Sequence, residues 1–237
     1  MTLADAITCA RAGESDGFAC LFEATIPNVW LAAAMLGCPQ CGSIVTQIYR
    51  KAQQSISSLR SPSDLRVWMG RICYEILLRQ PEHTGRMLPV LTGVLREAYA
   101  VMAELPRQER LALLLMCGEG CSAPQAAEIL AVPDIEIKRA MRRARQTIAA
   151  AMKQKNQNCN TSWLIAQLAA LREAQSSADA AVQQQILHCV LTDEVYVEQA
   201  QPVQDTQEAL PETPEEQPKP EEKNGFFQKL FRSRRFG

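Results

Sequence analysis

A cluster of cationic side chains between residues 138 and 145 is the part of this sequence best suited to binding a charged partner. Five cations stand within eight residues: Lys138, Arg139, Arg142, Arg143 and Arg145. Ile137 and Met141 recur between them at helical spacing. A helix with one apolar and one cationic face fits the major groove of DNA, where guanidinium groups pair with phosphates or guanine edges. The five cations are therefore predicted to bind DNA, and a solvated basic helix face is the alternative.

The segment ahead of this cluster carries signals that would position it as the second helix of a helix-turn-helix. Ser122, with Gln125 three residues later, forms a capping box, which predicts the start of a short first helix. Pro133 ends that helix, because proline lacks a backbone N–H and disfavours helical geometry at the preceding residue. Asp134 is then predicted to cap the second helix. Residues 120–145 are therefore predicted to form a DNA-binding helix-turn-helix.

Most of the remaining chain is predicted to be helical. In these 237 residues, apolar side chains recur at helical spacing up to residue 191, and Pro27 marks a break or kink in one such helix. We expect an all-α protein with a helical domain over 1–80, a linker over 81–89, the helix-turn-helix domain over 90–155 and a helical hairpin over 161–191. The longest uninterrupted apolar run, 29–36, is too short to span a bilayer, so the chain is expected in the cytoplasm.

Charge is distributed unevenly along the chain. Residues 1–192 carry 19 Lys and Arg against 16 Asp and Glu, whereas residues 193–223 carry ten acids and two lysines. The latter segment has too few apolar residues to offset its ordering entropy, which predicts a disordered acidic tail. In residues 224–237, Phe226, Phe227, Leu230 and Phe231 share one helical face among cations. This motif is predicted to contact an anionic membrane surface or a protein groove.

Groups that could support catalysis or hold a cofactor are sparse. The sequence has two histidines, no glycine-rich phosphate loop and no nucleophile–base arrangement, so we expect no enzyme, no cofactor and no metal. The nine cysteines are scattered through apolar helical patterns, and most of them are predicted to be reduced core residues. Cys38 and Cys41 have the spacing of half a zinc site or of a redox pair, although a simple turn between helices also accounts for them.

The motifs of the second predicted domain follow the order and spacing of a known family. They are Leu105-Pro106, Arg110, Gly120-Cys121-Ser122, Ala126-Ala127-Glu128-Ile129-Leu130, Ala131-Val132-Pro133, Ile137-Lys138-Arg139 and Arg143-Ala144-Arg145. This series resembles region 4 of the extracytoplasmic-function (ECF) sigma factors, compact bacterial initiation factors built from regions 2 and 4. The resemblance implies that the cations of the second helix face the −35 promoter element.

The first predicted domain resembles region 2 of the same family over residues 16–22, 43–52 and 68–72. The resemblance implies that the helix containing Ile44, Ile48, Tyr49 and Arg50 binds core RNA polymerase. It also makes Tyr74 the best candidate for stacking on melted bases. Several polar residues of the family are replaced, so the resemblance implies the fold more directly than it implies promoter melting.

Three functions of different classes follow from these features. The first is a divergent ECF-type sigma factor that binds core RNA polymerase and promoter DNA, with an anti-sigma factor as a further possible partner. The second is a sigma-like regulator that binds DNA or a partner without melting promoters. The third is an interaction protein that retains only the fold. Run-off transcription separates the first from the others, and binding to duplex DNA separates the second from the third.

Overall fold

The computed structural model describes residues 1–81, 91–153 and 159–197. These ranges contain ten α-helices and no strand, which confirms the all-α prediction. The helices are α1 (Leu3–Arg11), α2 (Ser15–Met35), α3 (Cys41–Gln54), α4 (Leu65–Leu77), α5 (Gly93–Ala103), α6 (Arg107–Leu113), α7 (Ala123–Leu130), α8 (Asp134–Met152), α9 (Thr161–Ala178) and α10 (Ala180–Leu191). A short 3₁₀ turn, Ile56–Ser58, and a π-helical turn, Leu114–Gly118, complete the described elements.

Two predictions fall largely on other parts of the chain. The acidic tail predicted over 193–223 lies outside the described residues except for 193–197. The aromatic motif with Phe226, Phe227, Leu230 and Phe231 lies outside them entirely.

The long helix α2 is at the centre of the molecule. It packs against α1, α3 and α9, and it buries large side chains such as Phe22, Trp30 and Met35. By length and hydropathy it is the one helix in the described ranges that could cross a membrane, but most of it is buried inside the protein, as is typical of a core helix. The helix is not broken at Pro27, because packing on both sides of the proline supports it where one backbone hydrogen bond is lost.

Two arginines of α6 hold the C-terminal ends of three other helices. The buried Arg110 donates to the carbonyl oxygens of Met35 (2.8 Å) and Ala103 (3.3 Å), the last residues of α2 and α5. Arg107 donates to the carbonyl oxygen of Leu77 (2.8 Å), the last residue of α4. Carbonyl groups at a helix C-terminus lack intrahelical partners and carry partial negative charge. Helix α6 therefore joins the two segments that the sequence predicts as separate domains.

The first helix of the helix-turn-helix also contacts the 1–80 segment. Helix α4 packs along α7, where Gly70 leaves room for the Ile129 side chain. Arg71 pairs with Glu128 across this contact, with 2.6 Å between nitrogen and oxygen. The predicted regions 1–80 and 90–155 are thus packed on each other in the described structure.

The helical hairpin predicted over 161–191 corresponds to α9 and α10, which meet at Asp179. Helix α9 packs on α2, α5 and the π-helical turn, whereas α10 packs on α3 and α2. The indole N–H of Trp30 donates to the Asp179 carboxylate (2.7 Å), and Arg172 donates to the side-chain oxygen of Asn28 (2.7 Å). Both helices therefore cover the 1–80 segment and belong to the same core.

Candidate nucleic-acid interface

Local signals fix the helix-turn-helix. The Ser122 hydroxyl accepts a hydrogen bond from the backbone N–H of Gln125 (3.4 Å), and the Ser122 backbone N–H donates to the Gln125 side chain (2.9 Å). The predicted capping box is therefore present. Ala131 ends α7 in the left-handed region with a φ of 53°, a position that favours glycine. Helix α8 begins at Asp134, so the N-cap residue is Pro133, and the prediction that Asp134 caps this helix is wrong.

Helix α8 is anchored through its apolar face. Ile137, Met141, Ala144 and Ile148 are buried, and the helix packs against α5, α6 and α7. Asp134 lies in the first turn, where its carboxylate pairs with Lys138 at 2.5 Å. This anchoring leaves the opposite face of α8, which carries all five cations, exposed to solvent.

The five predicted DNA-binding cations divide into two groups. Lys138 pairs with Asp134, and the Arg143 Nε donates to the buried carboxylate of Glu109 on α6 at 2.9 Å. The other three make no hydrogen bond or ion pair within the described residues: Arg139, Arg142 and Arg145. Arg143 is half exposed, so it combines a structural contact with a place at the edge of the cationic face.

A groove of about 550 Å³ runs beside the exposed face of α8. Lys138, Arg142 and Arg145 line one side, and Met116 and Cys159 lie among the other lining residues. Cations that line a concave surface reinforce one another in attracting a polyanion. The arrangement can bind the phosphate backbone of DNA through several charges at once.

Two residues of this site are not evident from the cationic pattern. Ile135 is 47% exposed in the first turn of α8, where a recognition helix contacts base edges. Its position off the apolar stripe of Ile137 and Met141 is the signal that identifies it in the sequence. Glu109 is the second, and no local pattern could reveal it, because its partner Arg143 lies 34 residues away.

The predicted polymerase-binding residues lie apart from this face. Ile44, Ile48 and Tyr49 are buried in the core, with 2.8 Å between the hydroxyl oxygens of Tyr49 and Thr25. Arg50 donates to the carbonyl oxygens of Cys189, at 3.4 Å, and of Glu194. Helix α10 and the segment that follows it therefore cover the outer side of α3.

Tyr74 is also buried, which makes the stacking prediction wrong in this structure. Its side chain is fully enclosed and its hydroxyl donates to the carboxylate of Glu119 at 2.7 Å. The sequence pattern suggested partial exposure because it does not reveal that a carboxylate from another segment reaches this hydroxyl. Burial raises the pKa of that Glu119 carboxyl to about 7.

The Cys38 and Cys41 thiols are enclosed at the junction of α2 and α3. The Cys41 thiol donates to the Cys38 carbonyl oxygen (3.0 Å), and burial raises the pKa of Cys38 to about 12. A thiol with so high a pKa is a poor nucleophile and a poor metal ligand at neutral pH. Among the described residues, no group of three or more His, Cys, Asp and Glu side chains could hold a metal ion.

An anchored second helix with an exposed cationic face, preceded by a capped first helix and a tight turn, forms a helix-turn-helix, a motif that typically binds DNA. Residues 95–148, from α5 through most of α8, match the family described as Sigma-70, region 4. Over these residues the chain is similar to sigma-70 region 4, which supports a sigma-like DNA-binding role. Region 4 in this family is a transcription-factor domain without an enzymatic activity of its own. No curated protein matches the chain.

Proposed function

We propose that this protein is a divergent ECF-type sigma factor that acts in the cytoplasm, binds promoter DNA through α8 and directs core RNA polymerase to initiate transcription. One observation carries the proposal. Arg139, Arg142 and Arg145 extend from a helix whose opposite face is anchored in the core, and no other described residue neutralises them. Pre-positioned cations on a rigid helix bind phosphates and base edges without a large ordering cost.

The roles along α8 follow from position and contacts. The first two turns reach base edges, which gives Ile135 an apolar contact with a thymine methyl group and Arg139 a bidentate contact with guanine. Arg142 and Arg145 lie further along the groove and bind phosphates. Lys138 and Arg143 contribute charge while each stays paired with a carboxylate of the protein.

Duplex DNA selected from a random pool on the full-length protein tests this proposal by fluorescence anisotropy. Substituting Arg142→Ala should weaken binding to all sequences and lower the salt dependence by about one phosphate contact. Arg139→Ala should cost about 1–3 kcal/mol and relax the preference at one base pair. Arg96→Ala, which removes an exposed arginine of α5, is the matched control. Unchanged affinity in both α8 variants would remove this helix from the interface.

Helix α10 and residues 192–197 form a cover over α3, and this cover must move before α3 can bind core RNA polymerase. Ile44, Ile48, Tyr49 and Arg50 remain our proposed polymerase contacts. Helix α10 with residues 192–197 lies over the side of α3 that carries Arg50, whereas Tyr49 contacts α2. The end of the cover is held by the Tyr196 ring, which packs so closely on Gly42 that a Cβ there would collide with it. We propose that polymerase binds this helix after the cover separates from it.

The substitution Gly42→Ala tests this order of events in the full chain. A methyl group at Gly42 would collide with the Tyr196 ring and displace it, because the atoms nearest to it belong to the far end of that side chain. We expect about fivefold tighter binding to core polymerase. This change is equivalent to a loss of about 1 kcal/mol from the contact between the cover and α3. Gly118→Ala is the control, because a Cβ there meets nothing closer than 3.9 Å. Equal binding by the two variants would show that the cover does not compete with polymerase.

A sigma-like regulator that binds DNA without melting promoters is the second candidate. The burial of Tyr74 favours it, because the proposed aromatic group for stacking on melted bases is enclosed. This candidate predicts selective duplex binding with no run-off transcript in the presence of core polymerase. An anti-sigma factor, or a membrane or protein surface bound through Phe226, Phe227, Leu230 and Phe231, remains a proposed further partner.

A further inference from the structure

A cavity of about 330 Å³ lies between α2, α4 and α9, away from the cationic face of α8. Its volume is within the range of small-molecule sites. One part of its wall is apolar and includes Val29, Leu65 and Met69. None of the residues assigned to DNA or polymerase lines it, so neither proposed contact accounts for it.

The polar part of the cavity wall carries an excess of positive charge. Arg66 comes from α4 and Arg172 from α9, and both guanidinium groups lie within electrostatic reach of the Glu119 carboxyl. Arg172 donates to Asn28 (2.7 Å) and Arg66 to the Gly120 carbonyl oxygen (3.1 Å). Each guanidinium has five N–H donors, so one such bond leaves donors for a ligand. Arg66 is exposed and Arg172 is partly buried.

We propose that this cavity binds a small organic carboxylate with a short hydrocarbon body. The carboxylate would accept hydrogen bonds from Arg66 and Arg172, since a planar guanidinium matches the two oxygens of a carboxylate. The hydrocarbon body would lie against Val29, Leu65 and Met69. A volume of about 330 Å³ suits a ligand of about ten non-hydrogen atoms.

Glu119 makes the binding depend on pH. When it is ionised, its carboxylate repels the ligand, whereas its protonated form can donate a hydrogen bond to it. The titratable and charged groups within reach of Glu119 are Cys73, Tyr74 and Arg66 of α4, Cys121 ahead of α7, and Arg172 of α9. We therefore expect tighter binding below neutral pH than above it.

Octanoate is the probe that tests the site. Acetate serves as a probe without the hydrocarbon chain, and octan-1-ol as a probe without the charge. Isothermal titration calorimetry on the full-length protein should give saturable binding of octanoate, strengthened about fourfold for each methylene buried beyond acetate. Arg172→Gln should weaken octanoate at least tenfold. Arg71→Gln is the matched control, because Arg71 lies on α4 but does not line the cavity. Glu119→Gln should abolish the dependence on pH.

The substitution Arg172→Gln also breaks the contact with Asn28. Arg66→Gln therefore provides a second variant that loses a positive charge, on another helix. The melting temperature of each variant checks that it is folded. Tenfold weaker binding by both folded variants, with the control unchanged, supports the proposal. Octanoate affinity that is equal in all variants, or octan-1-ol that binds as tightly as octanoate, would overturn it. This test is independent of DNA and polymerase, so its outcome does not depend on the proposed function.

Discussion

Arg143 should contribute to the stability of the fold through its ion pair with Glu109, whereas its neighbour Arg142 should not. Glu109 is buried, and its Oε1 accepts the hydrogen bond from Arg143. Substituting Arg143→Ala leaves a buried carboxylate without its counter-charge and should lower the free energy of unfolding by about 2 kcal/mol. Arg142→Ala, one position earlier and fully on the solvent side, should leave stability unchanged. Urea unfolding of the two variants measures the contrast.

The double variant with Arg143→Ala and Glu109→Gln is the control for this assignment. It removes the charge that is left unpaired, so part of the lost stability should return. If Arg143→Ala is as stable as the wild type, the contact is only a surface pair, and Arg143 belongs with the DNA-binding group.

Glu119 gives the protein a predictable change of stability with pH. Burial raises the pKa of its carboxyl from 4.5 to about 7, so between these values the folded protein binds more protons than the unfolded chain. The stabilisation of the protonated acid is complete below pH 4.5 and is lost as the pH rises through about 7. Glu119→Gln lacks this component. The stability of the wild type relative to this variant should therefore fall from about pH 5 to about pH 8 in urea unfolding.

At the level of the helices, Arg110 links α6 to the C-terminal ends of two other helices. Its guanidinium meets the last carbonyl groups of α2 and α5, and the side chain is buried. Arg110→Met keeps the length of the side chain but leaves these carbonyl groups unsatisfied, and should cost about 3 kcal/mol. Arg96→Met, on the exposed face of α5, should be close to neutral. Chemical unfolding compares the two, and equal stability would mean that water replaces the arginine.

The helix-turn-helix could be predicted from sequence because its determinants are local. The capping box at Ser122, the proline at the turn and the spacing of Ile137 and Met141 all act within a few residues. The cover of α10 on α3 could not be predicted in this way. An apolar helix face shows that burial is needed but does not show which partner provides it. The same limit applies to Glu109 and Arg143, whose pairing depends on the packing of α6 on α8.

For the molecule as a whole, the contacts of α6 and α7 with the 1–80 segment predict that the described helices unfold together. Arg107 and Arg110 hold the ends of α4 and α2, and Arg71 pairs with Glu128. Loss of either segment would expose the apolar surface of the other. Calorimetry should therefore give one transition, with calorimetric and van't Hoff enthalpies that agree. Two separate transitions would show that the segments behave as independent domains.

The arginines of α6 also determine how the protein should behave as two complementary fragments. A chain of residues 1–81 lacks the groups that satisfy the ends of α2 and α4, and a chain of residues 91–197 holds a buried arginine without its acceptor on α2. The fragment 91–197 thus carries the donors of these hydrogen bonds, and the fragment 1–81 carries their acceptors. Mixed together, the two should recognise each other and assemble with native circular dichroism, although no peptide bond joins them.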